Sequence, residues 1–287
     1  MRISSYFSLA AGLVLAALSS PLFAKADSDW STDHLDDAWA ERALAHPEFD
    51  EGWCQPCHND SDHRIGHCEV REFSYPRVRK PIGIDGGQNS GMTVMGWNGD
   101  HVRILYRVTT RARTEERTRA LAAEVQLALT KGWLRPDGPS VTPEGESWMV
   151  EVKAWVPRSS DLVLSTQNGP LGVRDVHGTM DLSSVNGPVS LVDLGGAVQA
   201  RIQNGPLHVA LAGSRWDGVG LDAGTENGPL NLLLSVDYSA RFQTGTIMGP
   251  GMDESNHRRG WITTTLGKGG PPVRVVTHNG PFQITMN

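Results

Sequence analysis

Two cysteines and a histidine offer the first chemistry in this sequence. Cys54-Gln55-Pro56-Cys57-His58 fits C-x-x-C-H, the pattern in which two thiols hold a c-type haem through thioethers and the histidine ligates its iron. His63 or His67 would then be the sixth ligand, and the same groups with Cys68 are also zinc donors. The surroundings disfavour both: a haem needs an apolar pocket, yet Asn59, Asp60, Ser61, Asp62, His63 and Arg64 follow directly, and a zinc site normally separates its ligand pairs more widely. The third reading is a structural disulfide in an oxidising compartment, with one thiol left over. A bond from Cys54 to Cys68 closes a loop of about 15 residues, worth about 3 kcal/mol in the chain-entropy model. Cys54 to Cys57 would instead make a small redox-type ring. The composition favours the disulfide, with candidates Cys54 and Cys68 and no cofactor or metal. A haem c or redox module on Cys54, Cys57 and His58 is the alternative.

Other chemistry is thin. Glycan cleavage needs paired carboxylates, or calcium-bound acids with a base, converging in a groove. The outward acids Asp175, Asp181, Asp193 and Asp222 read as scattered singly, so a carbohydrate-binding or carbohydrate-active β-helix is a second alternative only. Arg111, Arg113, Arg117 and Arg119 form a basic cluster that reads as a solvated face. No catalytic residue is assigned, and the chain is expected not to be an enzyme.

The elements that would position these residues begin with a leader. Arg2, the apolar run Leu9 to Leu18 and Ala24-Lys25-Ala26 form a secretion signal over residues 1–26, which implies a periplasmic or secreted protein. No later segment is apolar for the ~18 residues that a membrane span requires. Residues 27 to 53 hold nine acids and one base, Arg42, whereas residues 54 to 287 hold 23 of each. The body is therefore near neutral, which argues against a nucleic-acid partner. The expected organisation is an acidic leader with the Cys/His-rich stretch over 27–68, a β-rich cap over 69–158, and repeats over 159–287. Within the cap, Thr114 as N-cap, Glu115 and Glu116 in the first turn, and Leu121, Val125 and Leu129 at four-residue spacing predict a helix over about 114–130, stopped by Lys131-Gly132.

The repeats dominate the rest. Asn168-Gly169-Pro170, Asn186-Gly187-Pro188 and Asn204-Gly205-Pro206 are 18 residues apart, and Asn227-Gly228-Pro229 and Asn279-Gly280-Pro281 repeat the tripeptide. Asn89-Ser90-Gly91 resembles a degenerate first copy. Apolar residues stand second and fourth after each glycine, as in Leu171 and Val173 or Val189 and Leu191. That alternation puts them on one face of a short strand. Asn-Gly alone signals a hairpin. The 18-residue period and the following proline, which has no donor to place, point instead to stacked parallel coils, with Asn168, Asn186 and Asn204 as an amide ladder and Gly169, Gly187, Gly205, Asn227, Gly228, Asn279 and Gly280 as further corner residues. A five-residue bulge is expected around Ser214-Arg215-Trp216-Asp217, a degenerate coil at Thr244-Gly245-Thr246-Ile247, and a loop excursion from Gly249 to Gly260.

At these residues the chain resembles a known family. Cys68-Glu69-Val70-Arg71-Glu72, Gly96-Trp97-Asn98 and the Asn-Gly-Pro corners with Gly213-Ser214-Arg215-Trp216 resemble the bacterial β-strand-repeat "putative adhesin" proteins, a domain family of unknown function. The resemblance covers residues 66 to 287. It implies an all-β fold, a single-stranded, right-handed parallel β-helix or β-solenoid of the cell envelope, and it carries over no binding residue. The sequence thus predicts an exported β-solenoid with an adhesin-like or scaffold role, whose partner is an unidentified envelope component, protein or glycan. The interruptions after Gly213 and Gly249 and the Cys/His leader are the places where a function is expected.

Overall fold

Alternating apolar residues form strands here, and the Asn-Gly-Pro corners decide how those strands stack. The computed structural model describes residues 51–54, 64–76, 81–130, 132–246 and 261–287. The expected signal segment, most of the acidic leader, Cys57, His58, His63 and the Gly249 to Gly260 excursion lie outside the described residues.

Each coil is a longer strand, a corner and a shorter strand. The longer strands β8 (Leu162–Asn168), β10 (His177–Asn186), β12 (Gly195–Asn204), β14 (Gly220–Asn227) and β18 (Pro272–Asn279) all end on the corner asparagine. The shorter strands β9 (Leu171–Arg174), β11 (Val189–Val192), β13 (Leu207–Ala210), β15 (Leu230–Leu234) and β19 (Phe282–Met286) begin just after the proline. Longer strands pair in parallel with longer, in register Asn168, Asn186, Asn204, Asn227, Asn279. Shorter strands pair in parallel with shorter, as in Leu171 with Val189 and Leu207 with Leu230. The chain is a β-solenoid, and the hairpins that Asn-Gly signals in isolation do not form. Leu164, Leu182, Ala200, Ala223 and Val275 from one sheet meet Leu171, Val189, Leu207 and Leu230 from the other in one core cluster.

The order of coils departs from chain order once. β16 (Ala240–Thr246) follows β15 in sequence, but β18 lies between β14 and β16, and β17 (Trp261–Leu266) runs antiparallel on the outside of β16. The Thr244-Gly245 segment is therefore not a coil between the Asn227 and Asn279 copies, as its position in the chain suggests. Asn279 pairs directly with Asn227 although 52 residues separate them. Stacking like corners keeps the ladder unbroken, and the degenerate strand is left to the end.

At the other end the two sheets continue past the repeats. β2 (Ile82–Asp85) pairs with β8, and β3 (Met92–Trp97) with β9. Ser90 N–H donates to Asn168 O at 3.0 Å, so Asn89-Ser90-Gly91 does form the first corner. Beyond β3 the short-strand sheet continues with β7 (Ser147–Pro157), parallel to β3, and then with β4 (His101–Ala112) and β1 (Ile65–Pro76), each antiparallel to the strand before it. On the opposite sheet β6 (Trp133–Asp137) pairs with β2 and with β5 (Gln126–Thr130).

The cap helix is shorter than its apolar spacing suggests. Helix α1 spans Glu115–Glu124, with Thr114 accepting from Arg117 N–H at 3.2 Å. Residues 126–130, expected to continue it, form β5, and Leu129 is 48% exposed. Two causes end the helix: β-branched Val125 takes an extended conformation, and Arg71 donates to the carbonyls of Val125 at 2.5 Å and Ala122 at 2.9 Å. Gly132, at φ 85°, reverses the β5–β6 hairpin instead of stopping a helix.

Close stacking at the corners predicts a graded response to added methyl groups. Gly187 has φ 135°, and a Cβ there would stand 2.4 Å from Gly169 O, whereas Gly87 has φ 69° with nothing within 4 Å. Gly87→Ala is expected to cost about 1–2 kcal/mol, the left-handed penalty alone. Gly187→Ala adds displacement of a neighbouring carbonyl to a strain of about 1–3 kcal/mol and should lower the denaturation midpoint clearly further. Equal midpoints for the two variants would contradict this stacking.

Candidate functional site

Cys54 and Cys68 form a disulfide with their Cα atoms 5.7 Å apart. It ties a 3-10 turn, Glu51–Cys54, to β1. The turn presents Trp53 to two cations: the Arg107 guanidinium carbon lies 5.5 Å and Lys153 Nζ 4.3 Å from the ring centroid. Arg107 also donates to Trp53 O and to the Glu151 carboxylate. With its sulfur bonded to Cys68, Cys54 cannot form the thioether that the haem reading requires. His67, the other iron-ligand candidate that is described, sits 3.6 Å from the Glu69 carboxylate. Among the described residues no group of three or more His, Cys, Asp or Glu side chains could hold a metal ion.

The corner residues are committed to the frame. Asn186 Nδ2 donates to Asn168 Oδ1 at 2.7 Å, Asn204 to Asn186 at 3.0 Å, Asn227 to Asn204 at 2.9 Å and Asn279 to Asn227 at 3.0 Å. The ladder ends at Gln88 O, which accepts from Asn168 at 2.6 Å. Inward hydroxyls add a second set of bonds: Thr225, Thr277 and Thr246 donate to Gly205 O, Gly228 O and Gly280 O at 2.7–2.8 Å. Their signal in the sequence was the threonine two residues before Asn227 and Asn279. The bulge after Gly213 is structural too: Trp216 is 4% exposed and its indole donates to Gly196 O at 2.9 Å.

A different constellation gathers on the outer face of the short-strand sheet. Pairing sets Arg103, Trp155, Met95, Arg174, Val192 and Ala210 in one row across β4, β7, β3, β9, β11 and β13. Met95, Leu105, Trp155 and Val192 form an apolar cluster separate from the main core, with Trp53, Val70 and Trp97 against it. Arg103 lies 5.4 Å above the Trp155 ring and donates to Glu72 at 2.9 Å; that bond holds the Glu72 carboxyl below its usual value.

Beside this row opens a cavity of about 310 Å³, with Trp97, Trp155 and Met95 as apolar lining and Asn98, Arg158, Arg174 and Asp175 as polar lining. Trp97 is fixed by its indole bond to His101 O at 3.0 Å and an edge contact with the His101 ring. Arg158 donates to Asn98 Oδ1 at 3.2 Å and lies 3.2 Å from the Asp175 carboxylate. Gly96 permits the approach of the next coil, since a Cβ there would stand 1.8 Å from Asp175 O.

The acids on this face correct one sequence expectation. Asp175 and Asp193 are not scattered singly: they are 18 residues apart and occupy equivalent corners of successive coils, at φ 59° and 53°. The matching period was the signal. Burial, and then repulsion from Asp175, push the Asp193 carboxyl up from its ordinary value, against an opposing pull from Arg174.

The chain matches no protein-family model and no curated protein. Among solved structures it is similar to a "putative cell adhesion protein" from Clostridium sporogenes, at 10% identity and a TM-score of 0.34 over 76% of this chain and 100% of that one. A "putative lipid binding protein" from Parabacteroides distasonis is similar at 12% identity and a TM-score of 0.29, over 77% and 96% of the two chains. A "putative adhesin" from Bacteroides fragilis is similar at 13% identity and a TM-score of 0.29, over 75% and 96%.

Two outcomes follow from the site. Non-reducing peptide mapping should recover Cys54 linked to Cys68, and Cys68→Ser should cost about 3 kcal/mol by the loop-closure estimate; a linked Cys54 and Cys57 would contradict the pairing. A carboxyl whose folded-state value is raised contributes stability that is present below the ordinary value and lost as pH rises through the raised one. Asp193→Asn is therefore expected to raise the unfolding midpoint at neutral pH, with the gain vanishing below the ordinary value of 3.8. A gain that persists in acid would point to backbone preference, not charge.

Proposed function

We propose that this chain is an exported, non-enzymatic β-solenoid of the bacterial cell envelope, with an adhesin-like or scaffolding role. Its coils are read as a right-handed, single-stranded parallel β-helix over residues 159–287, closed at the N-terminal end by the β-rich cap over 69–158. The observation that carries this reading is the division of labour within each coil. Asparagine recurs at every Gly-Pro corner in register, while the outward row Val163, Asp181, Gln199, Asp222 and Arg274 changes chemistry at every step. A constant frame with a variable exterior is what presentation of a surface requires.

Export is supported by Arg2, the apolar run Leu9 to Leu18 and Ala24-Lys25-Ala26, and by a disulfide that persists in an oxidising compartment. Among the described residues no helix is long and apolar enough to cross a membrane. The partner is an envelope component, protein or glycan, and the near-neutral body disfavours nucleic acid.

Expressed with its own N-terminus in a Gram-negative host, the protein should appear in the periplasmic or secreted fraction, processed after Ala26 or Ala24, oxidised at Cys54 and Cys68, and inactive on a panel of envelope glycans. Retention of the unprocessed chain in the cytoplasm, or turnover of any glycan by the pure protein, would overturn the proposal.

A further inference from the structure

The cavity beside Trp97 holds a cation without a partner. Arg174 Nε is buried and its N–H has no acceptor, and among the described residues Arg174 makes no hydrogen bond or ion pair; Asp193 on the next coil acts on it only through space. The other arginines of this face are engaged: Arg103 with Glu72, Arg107 with Glu151, Arg158 with Asp175. A buried N–H donor left without an acceptor is costly unless something completes it, and the rest of this half-buried guanidinium remains open to a ligand. Here it shares with two indoles the lining of a cavity of about 310 Å³, the lower end of the range for small-molecule sites.

We propose that this cavity binds an acidic sugar unit, a pyranose ring carrying one carboxylate, such as a uronic acid. Each part of the lining matches one part of that ligand. Arg174 offers its parallel donors to the carboxylate, the geometry in which guanidinium recognises such groups best. Trp97, fixed by its bond to His101 O and its edge contact with the His101 ring, offers an apolar face to the C–H side of the ring. Asn98, Asp175 and Arg158, already fixed to one another, present donors and acceptors for ring hydroxyls without having to be ordered on binding. A doubly charged phosphate fits less well, because Asp175 lines the same cavity and repels the second charge. The inference deepens the presentation role by giving its surface a ligand, and it rests on that role only for where the sugar comes from.

Isothermal titration of the full, oxidised protein with sodium glucuronate, glucose and inorganic phosphate tests it. Glucuronate should bind saturably with one site, and glucose and phosphate at least tenfold more weakly. Arg174→Met should weaken glucuronate at least tenfold with an unchanged unfolding midpoint, and Asn98→Ala, on the rim, should weaken it severalfold and serves if Arg174→Met does not fold. No saturable heat with glucuronate, undiminished binding in the variants, or phosphate binding as tight as glucuronate would overturn the proposal. Binding by a protein found in the cytoplasm, or by one that cleaves a glycan, would sink the envelope reading and leave the sugar site standing.

Discussion

At each corner the carbonyl of one glycine lies where the next coil's Cβ would otherwise be. The gap from the built Cβ position is 2.4 Å at Gly187, 2.1 Å at Gly205, 2.2 Å at Gly228 and 2.1 Å at Gly280. Only hydrogen fits, so the coils approach closely enough for alternate residues to donate across the step. Gly205 N–H donates to Asn227 O at 2.8 Å and Leu207 N–H to Pro229 O at 2.9 Å. Proline, with no N–H of its own, stands between these two donors. The amide ladder then closes the outer side of the corner and the threonine hydroxyls the inner side.

This constraint accounts for the order of the coils. A strand without an Asn-Gly-Pro corner cannot continue the ladder, so β16 yields its place on β14 to β18 and pairs on the far side. It also accounts for the tolerance of the five-residue bulge. Gly218 returns over Gly196 while Trp216 fills the space beneath, and the register of Asn204 with Asn227 is kept. The core needs only that apolar residues recur on the inward side, which the alternation after each glycine supplies.

Much of this was legible in the sequence, because a repeat writes its own contacts: residues 18 apart are neighbours. The parallel stacking, the first rungs of the amide ladder and the degenerate first corner could be read from spacing and residue type, whereas the cysteine spacing left Cys57 and Cys68 both open as partners of Cys54. The end of the helix could not, since Leu121, Val125 and Leu129 fit a helical stripe until Arg71, 51 residues from Ala122 in the chain, takes up its carbonyl. The cavity was illegible for a similar reason. Trp97, Trp155 and Arg174 come from three strands of the sheet, and no local spacing links them. Gly96-Trp97-Asn98 was visible as a motif, but its neighbours across the sheet were not. The expected functional places, the bulge and the cysteine stretch, turn out to supply a buried plug and a tether for Trp53.

The central claim is that the corners, more than the strands alone, hold the coils together, and amide hydrogen exchange at single-residue resolution tests it most directly. The Gly187 and Gly205 amides, which donate to Asn204 O and Asn227 O at 2.9 and 2.8 Å, should be among the slowest to exchange, together with the core strands. The Glu146 amide, in the turn after Pro143, should exchange far faster. Corner amides that exchange as fast as Glu146, while β10 and β12 stay protected, would show that the strands stack without the corners and would contradict the account.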